Sequence, residues 1–126
     1  MTGYYILDED GDPIESTMQE WSSWFSQNGG VRQVSYNFFE YDFGKIGVST
    51  VFMGMDHNYS GSGVLHIFET MIFRDNGSEV VWRGPTRGEA LAAHDKACDF
   101  IRDEIDYVEE IPLTLKPRKI RIRNDR

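Results

Sequence analysis

Cysteine and histidine are scarce in this chain, and each scarcity excludes chemistry. One cysteine, Cys98, rules out an internal disulfide framework and any cysteine-rich zinc site. Only three histidines are present: His57, His66 and His94. No run approaches the roughly 20 apolar residues of a spanning helix, so no membrane association is expected. No basic-then-apolar leader opens the chain, and the expected address is a reducing cytoplasm. There is no phosphate-cradling Gly-x-x-x-x-Gly-Lys. Tyr59-Ser-Gly-Ser-Gly63 falls between two expected strands, which is the wrong setting for a nucleophile elbow.

What is present is one domain's worth of chain: 126 residues, 40% apolar and 13% aromatic. The formal charge of −8 is unevenly placed. Residues 116–126 hold six basic residues and one acid, about +5, whereas residues 1–115 hold 7 basic and 20 acidic residues, about −13. An acidic body disfavours general DNA binding, because phosphate contacts need local positive charge. It suits a basic partner surface. In the tail, basic residues alternate with Ile from Lys119 to Arg123. That pattern reads as a short edge strand, open to pairing with its own sheet or with another copy.

The local signals predict a single α+β domain over residues 1–126. Tyr4 to Leu7 is a short strand, and Asp8 to Pro13 a tight turn. The turn superficially matches a calcium loop, but its glycine position falls on Pro13 and its final glutamate position on Gln19. Thr17 and Glu20 fit a capping box that opens a short aromatic helix bearing Met18, Trp21, Trp24 and Phe25. Strands are expected at Val31 to Tyr41, Val48 to Met55, Val64 to Phe73 and Glu79 to Arg83, with a break over Gly44 to Gly47. Asn76-Gly77 marks a hairpin. Together these make an antiparallel meander. Gly84-Pro85 stops it, and Thr86 with Glu89 opens a long helix from about Arg87 to Tyr107. Its apolar face reads Ala90, Leu91, Ala97, Cys98, Ile101 and Ile105. Such a helix lying across one sheet face closes the core.

Helical spacing places His94 on that buried face. Strand alternation groups Glu69 with Leu65, Ile67, Met71 and Phe73, the more apolar set of its strand. A buried imidazole and a buried carboxylate are each costly alone, so Glu69 and His94 are expected to face each other across the helix–sheet interface. Such a pair is a structural hydrogen bond or an acid/base dyad, with His57 near a substrate. Asp56, His57, His66 and Glu69 suit a metal by type, but their spacing is not diagnostic, and neither metal nor cofactor is expected. Cys98, one turn after His94, reads as an inert core thiol. The start of the long helix offers a second site. Free N–H groups beside Thr86, flanked by Arg83 and Arg87, form a small anion pocket, with Trp82 or Tyr59 to stack on a base.

Three segments carry a resemblance. Val48-Ser-Thr-Val-Phe-Met-Gly-Met-Asp-His-Asn-Tyr59, Phe68-Glu-Thr-Met-Ile-Phe73 and Thr86-Arg-Gly-Glu-Ala-Leu-Ala-Ala-His94 are similar to a family of small uncharacterised proteins of bacteriophages and prophages. Its pattern is VSTVFLGLDHNF … LFETMVF … TxEEAxxGH, and the likeness runs through roughly residues 4–98. This chain departs at Met53, Met55, Tyr59, Gly88 and Ala93. The pattern picks out Asp56, His57, Glu69, Thr70 and His94. The resemblance implies a phage accessory protein, dispensable for the virion, of a kind that often counters host defence. The leading expectation is a binding protein for a host protein or a small nucleotide-like ligand. An enzyme using Glu69 and His94, and a virion or assembly component, are the alternatives.

Overall fold

The computed structural model describes residues 3–42, 44–110 and 121–124. Strand β1 (Tyr4–Leu7) turns back into β2 (Pro13–Ser16) to make a two-stranded hairpin. The turn organises itself: Asp8 Oδ1 accepts the backbone N–H groups of Asp10 and Asp12, both at 2.9 Å. Gly11 supplies the positive φ of +86° that the reversal requires. The carboxylate that a calcium ion would use is thus spent on the backbone.

Helix α1 (Met18–Asn28) opens with the full capping box. Thr17 Oγ1 accepts the N–H of Glu20 at 3.1 Å, and Glu20 Oε1 accepts the N–H of Thr17 at 2.9 Å. It runs into a 3-10 turn over Gly29–Arg32. The next strand, β3 (Gln33–Tyr41), therefore starts two residues later than the sequence suggests.

The main sheet is β3, β4 (Gly44–Phe52), β5 (Phe68–Arg74), β6 (Gly77–Gly84) and β7 (Arg121–Asn124), in the order β6-β5-β4-β3-β7, all antiparallel. Gly44 to Gly47 is not a break but the first half of β4. β5 begins only at Phe68, since residues 64–67 lie outside the ladder. The β5–β6 turn is Asp75-Asn76, with Gly77 already paired to Arg74. Of the basic tail, residues 116–120, 125 and 126 lie outside the described residues. Backbone pairing sets Arg121–Asn124 beside Glu40–Asn37 of β3.

Helix α2 (Arg87–Glu110) lies across one face of this sheet, its first turn capped by Thr86 Oγ1 on the N–H of Glu89 at 3.2 Å. Leu91, expected on its core face, is exposed, while Ala90, His94, Ala97, Cys98, Ile101 and Ile105 are buried. Two apolar clusters result. One joins Phe39, Ile46, Val48 and Ile72 to Ala97, Cys98, Ile101 and Ile105. The other joins Phe52, Ile67 and Phe68 to Tyr5, Leu7 and Ala90, with Trp24 and Phe25 of α1 packed against it. Trp24 and Phe25 each reach Phe52 at a ring separation of 5.9 Å, so α1 covers the same side of the sheet as α2. Among the described residues, no helix is long and apolar enough to cross a membrane.

Candidate functional site

Between the two apolar clusters lies a polar layer, to which four elements each contribute one residue. Along β4 the helix-facing order is Ile46, Val48, Thr50, Phe52. On β5 it is Ile72, Thr70, Phe68, and β3 places Asn37 beside Phe39. His94 of α2 completes the row. It is 1% exposed, and Asn37, Thr50 and Thr70 are buried with it. His94 Nε2 lies 2.7 Å from Asn37 Oδ1, His94 Nδ1 lies 2.7 Å from Thr50 Oγ1, and Thr50 Oγ1 lies 2.7 Å from Thr70 Oγ1.

The donor directions follow from the groups themselves. An amide oxygen only accepts, so Nε2 of His94 donates to Asn37. In the neutral ring, Nδ1 then accepts from the hydroxyl of Thr50, which in turn accepts from Thr70. The string is directed from β5 through β4 and α2 to β3. It fixes the imidazole from both sides and leaves it without access to a substrate.

Glu69 is not in this layer. It sits on the opposite sheet face, where its Oε2 accepts from Nε of Arg83 at 3.0 Å, with Nη2 of Arg83 also at 3.0 Å. The expected Glu69–His94 pair is not formed. The face was misjudged for two physical reasons. Leu65 and Ile67 precede the regular strand, so alternation does not extend to them. The face bearing Glu69 is also apolar while uncovered, so counting apolar residues picks the wrong side.

His57 lies elsewhere, in the loop after β4. Its Nδ1 donates to the Met55 carbonyl at 3.0 Å, and its backbone N–H to the His66 carbonyl at 3.0 Å. Asp56 organises the loop by accepting the N–H groups of Asn58 at 2.9 Å and His66 at 3.0 Å. Burial works against the charge of Asp56. The two backbone donors and the His66 and His57 imidazoles outweigh it and hold the carboxyl below its usual range. Among the described residues, no group of three or more His, Cys, Asp or Glu side chains is placed to hold a metal ion.

No family model, no curated protein and no solved structure matches this chain.

The predicted anion pocket is also dispersed. Arg83 points to Glu69 on the far face. Arg87 packs beside Gly11 of the β1–β2 turn, where a Cβ would stand 3.5 Å from its Nη1. Tyr59 is 85% exposed, with its ring 6.4 Å from that of His57. Trp82 lines a concavity. It is opposite Thr70 in the register, hence on the helix face, and its indole lies over Gly84, where a Cβ would collide with it. The ring is held flat against β6 and forms part of a groove between β6 and α2.

That groove has a volume of about 390 Å³, within the roughly 300–1,000 Å³ usual for small-ligand sites. Ile72, Ala93, Ala97 and Trp82 line it, with Val81 and Phe100 beside them and Lys96 and Glu79 as its charged members. Phe100 is 59% exposed although it is a large ring on an otherwise acidic helix. Lys96 makes no ion pair among the described residues. Sequence reasoning missed Lys96 and Phe100. Their signal was their offset from Ala93 by three and seven residues, which places them along one helix flank. Asn37 and Thr50 were missed as well, though each is a polar residue at an inward strand position next to an inward apolar one.

Proposed function

We propose that this chain is an accessory binding protein of bacteriophage origin. It acts in the bacterial cytoplasm on a host component and holds a small nucleotide-like ligand in the groove between α2 and β6. The observation that carries this reading is the Trp82 groove. Its apolar lining and flat indole suit a heteroaromatic ring. Lys96 supplies a positive charge for one negative group, and Glu79 an acceptor for an exocyclic amine. Phage origin and a part in counter-defence rest on the motif resemblance, and sequestering a host nucleotide signal accords with both. The polar side chains that suggested catalysis are engaged elsewhere, His94 within the core and Glu69 with Arg83.

The test is a tryptophan-fluorescence and calorimetric titration with nucleoside mono- and diphosphates. Stacking of one base on an aromatic ring is worth about 1–3 kcal/mol, so Trp82→Ala should weaken binding at least about fivefold. Lys96→Glu should weaken it in proportion to ligand charge. Arg87→Glu, outside the groove, should leave the affinity within about twofold, well inside the spread of surface substitutions. Binding that survives Trp82→Ala, or no binding by any nucleotide, refutes the reading.

A second reading has its own observation. Glu89, Asp95 and Asp103 are exposed along α2, a negative face suited to a basic protein surface. In that case the captured partner would be a host protein, and its association would weaken steeply with salt.

A further inference from the structure

The groove between α2 and β6 holds little positive charge. Lys96 is the one cation among the described residues that line it, and Glu79 is the one acid. The neighbouring arginines are committed elsewhere. Arg74, at the end of β5, is held by both carboxylate oxygens of Glu104, at 2.6 and 3.1 Å. Arg83 pairs with Glu69 on the far face, and Arg87 packs beside Gly11. Arg102 pairs with Asp99 at 3.1 Å and lies over the Phe39 ring.

Helical spacing sets acids on both sides of Lys96. Glu89 stands seven residues before it and Asp103 seven after, and both are exposed. Seven residues make two turns, so the three lie along one flank of α2, each acid about 10 Å from Lys96. Glu79 stands across from them on β6. It is opposite Ile72 in the register, hence on the helix side. Asp99 is offset by Arg102. The groove and its two ends therefore hold Lys96 against Glu79, Glu89 and Asp103, a local charge of −2. One negative charge placed at Lys96 is attracted. A second one, displaced along the flank, moves toward Glu89 or Asp103, and displaced across the groove it moves toward Glu79. These separations are comparable with the screening length of about 8–10 Å near physiological salt, so the repulsion is felt.

We infer, on the basis of the nucleotide site proposed above, that the groove chooses among nucleotides by charge: its ligand is a phosphodiester with one negative charge, and nucleoside polyphosphates are rejected. A phosphodiester has a single ionised oxygen at neutral pH, whereas a terminal phosphate monoester carries about −1.5 to −2. A triphosphate carries more still. The base stacks on Trp82 in every case, so the base contacts are common to all these ligands and cannot separate them. The acids at the groove's ends can, because selectivity is a difference of affinities and repulsion of the wrong ligand supplies it. The diester sets its one charge at Lys96 and has nothing to place near Glu89 or Asp103.

Calorimetric titration of the full chain in magnesium-free buffer tests this. The probes are adenosine 3′,5′-cyclic monophosphate, adenosine 5′-monophosphate and adenosine 5′-triphosphate, which share one base and the exocyclic amine that Glu79 would accept. Affinity should fall in that order, with the cyclic diester at least about tenfold tighter than the triphosphate at low salt. At about 1 M salt, where the screening length is about 3 Å, the gap should close to within about threefold. Asp103→Lys should raise triphosphate affinity at least about tenfold and change that of the cyclic diester by less than about threefold. Glu89→Gln repeats the test in the same direction if Asp103→Lys fails to fold. Glu15→Lys, at an exposed position of β2, makes the same change in total charge as Asp103→Lys and should leave the ratio where it was. A monophosphate or triphosphate that binds as tightly as the cyclic diester at low salt overturns the inference and leaves the nucleotide site standing. So does a ratio that Glu15→Lys moves as far as Asp103→Lys. Binding by none of the three probes removes the nucleotide site and the inference with it.

Discussion

Replacing Thr50 by valine keeps the shape of the side chain and removes one hydroxyl. In the native layer that hydroxyl donates to Nδ1 of His94 and accepts from Thr70, both at 2.7 Å. Thr50→Val leaves an imidazole nitrogen and a threonine hydroxyl without those contacts, in a region where His94 is 1% and Thr70 0% exposed. Each buried group left unsatisfied costs about 1–3 kcal/mol, and partial relaxation favours the low end, so about 2–4 kcal/mol is expected. For a domain of this size each kcal/mol shifts Tm by about 4 °C, giving a fall of about 8–16 °C. Thr50→Ser is the control. It keeps the hydroxyl and deletes one methyl, for about 1 kcal/mol. Urea unfolding followed by circular dichroism measures both. The imidazole nitrogen shifts of His94 report whether the ring stays protonated at Nε2. If Thr50→Val lies within about 0.5 kcal/mol of the parent and Thr50→Ser is the worse of the two, packing alone holds the layer and the directed string is wrong.

Two other expectations follow from local geometry. Gly54 has φ +72°, and a Cβ there would meet Trp21 Nε1 and Phe25 Cε2 at 2.5 Å, so Gly54→Ala should cost about 2–3 kcal/mol by strain and overpacking, read by the same urea assay. Asp56 has a folded pKa below its ordinary 3.8. Its contribution to stability is therefore complete above the unfolded value and is lost as pH falls through the lower folded value. Asp56→Asn retains an oxygen for the two backbone donors and removes the titration, so its stability should vary less with pH across the acid limb. Equal slopes for the two proteins would contradict the assignment.

The sequence made some of this legible and hid the rest for identifiable reasons. Both helices were readable because their starts are chemical: Thr17 with Glu20, and Thr86 with Glu89, sit at cap spacing before a helical apolar pattern. The meander was readable from strand formers between turn residues. The burial of His94 followed from its neighbours at helical spacing. Its partners did not, because Asn37 and Thr50 are 57 and 44 residues away, and only the strand register brings them to one level. Glu69 went to the wrong face because an uncovered apolar face looks like a core in sequence. The groove escaped because Lys96 and Phe100 sit on the helix flank, where periodicity separates core from solvent but does not indicate that an edge strand lies alongside.

The polar layer has a consequence for how such a chain can change over generations. Its four members come from four separate elements, yet each satisfies the next, so the substitutions open to one depend on the state of the others. A lone exchange to an apolar residue strands a neighbour, whereas exchanging the whole row for well-shaped apolar residues leaves nothing stranded and can be near neutral. Between those two states lies a valley of poorly stable intermediates. Asn37, Thr50, Thr70 and His94 should therefore persist or disappear as a set, an instance of epistasis written into a single cross-section of the core.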